Sequence, residues 1–328
     1  MKTFRLLGLA TGLALGLAAS AAAAKETVTF AYLSDPSQEA ILWALKNGKV
    51  SSETIDVEAT PLEIPALIQA TSARSYDVVT TAAMAIPRAL SKGLELRMIA
   101  AGLRTNREGE GSAIWVKKDS DITSVEELKG KTLAVYSLGS AGITLVRIAL
   151  NKVHGLDVSL QGGDLSFVET PAPAMPAALA TGKVDAATLI HAQAYQAMKS
   201  GDFVPLVETS KELQDLTGLQ MVSAVLAGYE GKLDAEPEKY HEFLRVLAAS
   251  RDYALAHPDE VFTAVGAEYG IEPDFFATWF ERFMEYPVEM SDNDRKAITM
   301  LWDEAVTLGL LDSHPPIEDT LWKDIGGN

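Results

Sequence analysis

From Lys25 onward, short runs suited to β-strands alternate with runs at helical spacing, and the connections between them are brief. That alternation commits the chain to an α/β fold with largely parallel sheets. Lys25–Leu33 alternates with apolar residues at Val28, Phe30 and Tyr32, then breaks at Ser34-Asp35-Pro36-Ser37. A helix is expected from about Gln38 to Asn47, with Ala40, Ile41, Trp43, Ala44 and Leu45 available to its buried face. The pattern continues as strand (Ile55–Ala59), helix (Pro65–Ser75), short buried strand (Asp77–Thr81), helix (Ala82–Lys92) and strand (Leu96–Gly102).

The polar, glycine-rich segment Arg104–Ser112 is where the chain is expected to leave one lobe for another. A second α/β unit follows. Its strands are read at Ala113–Lys117, Lys131–Tyr136, Phe167–Glu169 and Ala186–Ile190, and its helices at Ala141–Val153, around Met175–Thr181 and at Ala192–Lys199. Ser124 and Glu127 hold the spacing of a capping box. Leu219–Ala227 reads as a strand returning to the first lobe, and everything after Pro237 as helical, with its aromatic residues placed in the core. The expected organisation is a leader (1–24), a discontinuous first lobe (25–111 and 218–328) and a continuous second lobe (112–217).

The leader rests on three features in order: Lys2 and Arg5, an apolar run from Leu6 to Ala19, and small residues at Ala22 and Ala24. This is the pattern of a cleaved secretory signal, and its apolar run is short for a membrane span. No cysteine is present, which removes a lipid-attachment site, a disulfide framework, a thiolate nucleophile and Cys-ligated zinc. The core must therefore supply the stability, and 48% apolar residues in about 300 suffice for two lobes. Without Lys2 and Arg5 the chain carries 26 basic against 45 acidic residues. Such a balance argues against nucleic acid or anionic lipid as partners.

Catalytic and metal signatures fail on spacing. The five histidines form no H-E-x-x-H, and the acidic stretches at Asp119–Asp121 and Asp292–Asp294 lack the glycine of an EF-hand loop. Gly139-Ser140-Ala141-Gly142 lacks the spacing of a nucleophile elbow. No catalytic residues, metal or cofactor are expected.

Three stretches carry a resemblance. They are Asp77–Ala101 (DVVTTAAMAIPRALSKGLELRMIAA), Ser112–Leu156 around KKDSDITSVEELKGKTLAVYSLGSAG, and Pro176–Ala187 (PAALATGKVDAA). In order and spacing the chain resembles the nitrate/sulfonate/taurine-type periplasmic solute-binding proteins, a family that includes binding proteins for thiamine precursors. The resemblance implies a two-lobed periplasmic binding protein fold (type II-like), with a ligand cleft between lobes joined by a two-strand hinge. It implies a monomer in the periplasm, free of lipid, that serves an ABC permease of the inner membrane and catalyses nothing. The leading ligand is a small organic anion, a sulfonate such as taurine first. An aromatic carboxylate, a pyrimidine or thiamine precursor, or a role as a ligand-sensing subunit are the alternatives.

In open α/β sheets ligands bind beyond the carboxyl ends of strands. The loops there are Ser34–Gln38, Thr80–Met84, Ser137–Gly142, Thr170–Pro173 and Ile190–Gln193. The candidate ligand-binding residues are Ser34, Asp35, Thr80, Thr81, Ser137, Gly139, Ser140, Ala141, Gly142 and His191. Their hydroxyls and exposed N–H groups suit an oxyanion. Asp35 either holds a ligand amine or forms an Asx turn, and His191 either faces the cleft or is structural. Trp43 and Tyr195 are read first as packing, and Arg104 first as a solvated surface residue.

Overall fold

The computed structural model describes residues 24–106 and 113–325. The signal peptide expected at 1–24 and the lobe boundary expected at 111/112 lie essentially outside them. The chain opens with β1 (Glu26–Leu33), α1 (Pro36–Lys46), β2 (Ile55–Leu62), α2 (Ile64–Ala73), β3 (Val78–Ala82), α3 (Ala85–Leu90) and β4 (Leu96–Thr105). It then builds β5 (Ile114–Lys117), β6 (Thr132–Val135), α4 (Ala141–Lys152), β7 (Ser166–Glu169), α5 (Met175–Ala180), β8 (Ala186–Ala187), α6 (His191–Ser200), β9 (Phe203–Val207) and α7 (Thr209–Thr217). It closes with β10 (Val222–Tyr229), α8 (Glu230–Ala235), α9 (Pro237–Ala256), α10 (Pro258–Tyr269), α11 (Asp274–Thr278), β11 (Met284–Glu285) and α12 (Asp292–Thr307).

Two sheets result. The first has the order β11-β4-β10-β3-β1-β2, with β2, β1 and β3 parallel and β10 antiparallel to both neighbours. The second has the order β7-β6-β8-β5-β9, with β7, β6 and β8 parallel. Because successive strand side chains point to opposite faces, Val78 and Val79 enter separate apolar clusters. One face gathers Phe30, Tyr32, Phe243, Phe275 and Phe276; the other gathers Met84, Met98, Ile298, Leu301 and Trp302. A buried side chain of that size contributes about 1.5–3 kcal/mol. Trp302 also satisfies its indole by donating Nε1–H to the Ala83 carbonyl at 3.0 Å.

The two connecting segments lie side by side. Thr105 and Met221 exchange hydrogen bonds, and Gln220 Nε2 donates to the Thr105 carbonyl at 2.8 Å and to Glu285 at 3.1 Å. Arg104, expected on a solvated surface, is instead largely buried. Its Nε and Nη2 reach both Asp294 oxygens at 2.7 Å, and its Nη1 reaches Glu285 at 3.0 Å. The reason is tertiary: β11 and the N-terminus of α12 fold over the end of β4, which no local pattern announced.

Other differences are smaller. β9 and α7 were not foreseen, and α3 is shorter than expected because Ala82 remains in β3. The C-terminal region is not wholly helical: β11 joins the first sheet, and Trp279–Phe283 forms a π-helical turn. Among the described residues, no helix is long and apolar enough to cross a membrane.

Candidate functional site

A cavity of about 280 Å³ opens between the two sheets. The first sheet and its helices supply Leu67, Ile68, Thr80, Thr81, Arg88 and Leu103, among others; the second supplies Tyr136–Ser137, Gly139–Gly142, Ile190 and His191. Most of the wall is apolar. Eight of the ten candidate residues thus line one space: Thr80, Thr81, Ser137, Gly139, Ser140, Ala141, Gly142 and His191.

The 137–142 loop is shaped by capping. Ser140 is the N-cap of α4, accepting from the Ile143 N–H at 3.2 Å while its hydroxyl donates to the Ser137 carbonyl at 2.9 Å. Gly142 is required by a close approach: a Cβ there would sit 2.0 Å from the Tyr136 hydroxyl. Burial pushes the Tyr136 phenol up, with the Ser140 hydroxyl opposing. It is therefore a neutral phenol at the cavity wall.

His191 opens α6 with φ of 51°, in the left-handed region that a non-glycine residue enters at a cost. Its Nδ1 lies 2.9 Å from Asp35 Oδ2, a close polar contact without the alignment of a hydrogen bond. Its ring stacks on Trp279 of the π-helical turn at 4.6 Å between centroids. Asp35 does not line the cavity. It caps α1 by accepting from the Ser37 N–H at 2.9 Å and from the Ser37 hydroxyl. Burial alone would raise the Asp35 carboxyl, but His191 and Ser37 outweigh it and hold it below the usual carboxylate range.

Two cavity features were not among the candidates. Arg88 on α3 donates through Nη1 to the Gly139 carbonyl at 2.8 Å and through Nη2 to the Leu310 carbonyl at 3.3 Å. No carboxylate pairs with it among the described residues, and burial alone acts on its acidity, lowering its pKa. Thr80, which lines the same cavity, is 4% exposed with its hydroxyl buried. That hydroxyl neighbours the buried Tyr286 phenol, whose pKa burial raises and the Thr80 hydroxyl pulls back. Arg88 lies one turn into α3, the helix that follows Thr80-Thr81, which was the available signal. Trp279 was read as core, and it is core on one side and cavity wall on the other.

The remaining candidates lie elsewhere. Ser34 donates its N–H to the Leu62 carbonyl and lies outside the cavity lining, as does the Thr170–Pro173 loop. Trp43 stacks on Tyr253, and Tyr195 packs edge-on against Phe275 with its hydroxyl on Glu272. Both behave as packing residues. A larger cavity of about 750 Å³ lies within the first lobe, beside α9, α10 and α11, and takes no residue from the second sheet. No group of three or more His, Cys, Asp or Glu suited to a metal occurs among the described residues.

Two mixed sheets, two adjacent crossovers and a cavity lined from both sides define a two-lobed binding fold of the periplasmic type. The chain belongs to the NMT1/THI5-like family, whose model matches residues 38–261. A sequence comparison with curated proteins finds no match. Among solved structures it is similar to the alkanesulfonate-binding protein SsuA of Xanthomonas axonopodis pv. citri bound to MOPS. There the TM-score is 0.73 at 17% identity, over 92% of this chain and 99% of that one. The periplasmic aliphatic sulphonate binding protein SsuA of Escherichia coli gives 0.70 at 16% identity, over 92% and 93%. Protein AF1704 of Archaeoglobus fulgidus gives 0.70 at 22% identity, over 87% and 98%.

Proposed function

We propose that this protein is the periplasmic capture component of an ABC importer, holding a small organic anion between its lobes and passing it to an inner-membrane permease. The observation that carries this reading is the convergence of eight sequence-nominated residues, from both lobes, on one largely apolar cavity. Its hydroxyls and the capped start of α4 suit an oxyanion head, and its apolar wall suits an alkyl or aryl body. The names of the two SsuA structures point the same way. Sulfonates lead, but taurine moves behind larger ones: an ammonium head needs a free carboxylate, and the Asp35 oxygens already serve Ser37 and His191. The stacked His191 and Trp279 favour an aromatic carboxylate as the second reading.

The test is a thermal-shift screen of residues 25–328 against alkyl and aryl sulfonates, taurine, aromatic acids, nitrate and pyrimidines. A true ligand at a hundred times its dissociation constant stabilises by about 2.7 kcal/mol, a shift of a few degrees. Stabilisation by neutral heterocycles alone would overturn the anion reading.

A further inference from the structure

We infer that Arg88 is the charge-selecting residue of the cleft, the group that makes the cavity prefer an anion over a neutral molecule of the same shape. The inference rests on the proposed capture function and adds the residue that sets its selectivity. Three observations carry it. The guanidinium lines the cavity and is partly buried, yet no carboxylate neutralises it among the described residues. Arg97, Arg104, Arg245, Arg251 and Arg295 each pair with a carboxylate, and Arg147, buried without one, is settled on the Val158 carbonyl and the Phe167 ring outside the cavity. Removing a cation from water without a counter-charge is unfavourable, more so where apolar walls surround it, in a chain with so many carboxylates to spare.

The second observation is donor geometry. Two of the five N–H groups of Arg88 are spent on backbone carbonyls, Gly139 and Leu310, which leave the positive charge in place. The third is position. Arg88 sits on the helix that follows Thr80 and Thr81, and it touches the 137–142 loop of the opposite lobe. An anion seated between the loop and Arg88 would answer the unpaired charge. It would meet both lobes at once.

The experiment is isothermal titration of residues 25–328 with matched pairs: p-toluenesulfonate and p-toluenesulfonamide, 1-hexanesulfonate and 1-hexanesulfonamide, benzoate and benzamide. Wild type, Arg88→Met, Arg88→Lys and a charge-matched surface control, Lys118→Met, are compared. The readout is the anion-to-amide affinity ratio within each variant, which a general loosening of the fold does not move. The expected result is a preference of about tenfold or more in wild type and Lys118→Met, as for a charge-assisted hydrogen bond. Arg88→Met should bring the ratio within about threefold of unity, and Arg88→Lys should restore part of it. A ratio unchanged in Arg88→Met overturns the inference and leaves the capture function standing. If wild type itself prefers no anion in any pair, or binds none, the anion reading and this inference fall together.

Discussion

Two cavities and two arginines set the terms. In the cleft, Arg88 stands without a carboxylate among apolar walls. In the larger cavity of the first lobe, Arg104 faces Asp294, Glu285 and Glu289, and Arg251 is tied to Asp252 and to the Tyr286 and Pro287 carbonyls. Asp259, Asp274 and Glu281 add further negative charge to that wall. An arginine whose charge is neutralised by fixed neighbours is a brace and has little left to offer a ligand. Arg88 and the buried Arg147 both lack a carboxylate, and of the two it is Arg88 that lines the cavity shared by the two sheets. Of the two cavities, the smaller is lined from both sheets and holds an arginine without a carboxylate.

The comparison predicts its largest effect on the brace. Asp294→Ala removes a buried carboxylate that grips Arg104 with both oxygens and caps α12, so chemical denaturation should show a loss of about 3–5 kcal/mol. Ligand affinity measured at full folding should change little. If the variant instead loses affinity while keeping its stability, the distinction between brace and site is broken.

Next comes Gly142→Ala. The added methyl would collide with the Tyr136 hydroxyl, so the ring or the start of α4 must shift. A stability loss of about 1–3 kcal/mol is expected by overpacking, with weakened capture of whichever ligand the screen returns. Wild-type affinity in a folded Gly142→Ala protein would move the ligand away from this loop.

The smallest effect belongs to Asp35→Ala, which deletes the cap of α1 and the contact with His191; about 0.5–2 kcal/mol should be lost at pH 7. The Asp35 carboxyl is depressed in the fold. Its contribution is thus complete above the unfolded-state value near about 4 and disappears as pH falls through the lower folded-state value. Unfolding curves of variant and wild type should converge below that range. A gap that persists unchanged in acid would show that the carboxylate charge plays no part.

The sequence made the order of strands and helices legible wherever period and punctuation agreed, as in Val28–Tyr32 or in the Ser124–Glu127 capping box, which forms as expected. It also pointed to most of the cleft, because ligand sites in such sheets follow from strand ends, and Thr80–Thr81 and Ser137–Gly142 are strand ends. What it did not show were relations between distant segments. Arg104 looked solvated because Asp294 lies 190 residues away. Arg88 was not nominated, because the absence of a partner is a property of the folded surroundings. Asp35 was open between a ligand amine and an Asx turn, and the fold has Ser37 and His191 closing on it, one by local turn chemistry and the other from a distant segment.

The His191–Trp279 stack has a consequence for how the molecule can be watched. The imidazole belongs to the second lobe and the indole to the first, with ring centroids 4.6 Å apart. Any parting of the lobes must strip the imidazole from the indole face, and the fluorescence of that tryptophan must respond to the change of neighbour. The chain thus carries its own optical gauge of lobe separation. Because it has no native cysteine, a single engineered thiol on either rim would accept a dye at one place only, giving a second and independent gauge of the same movement.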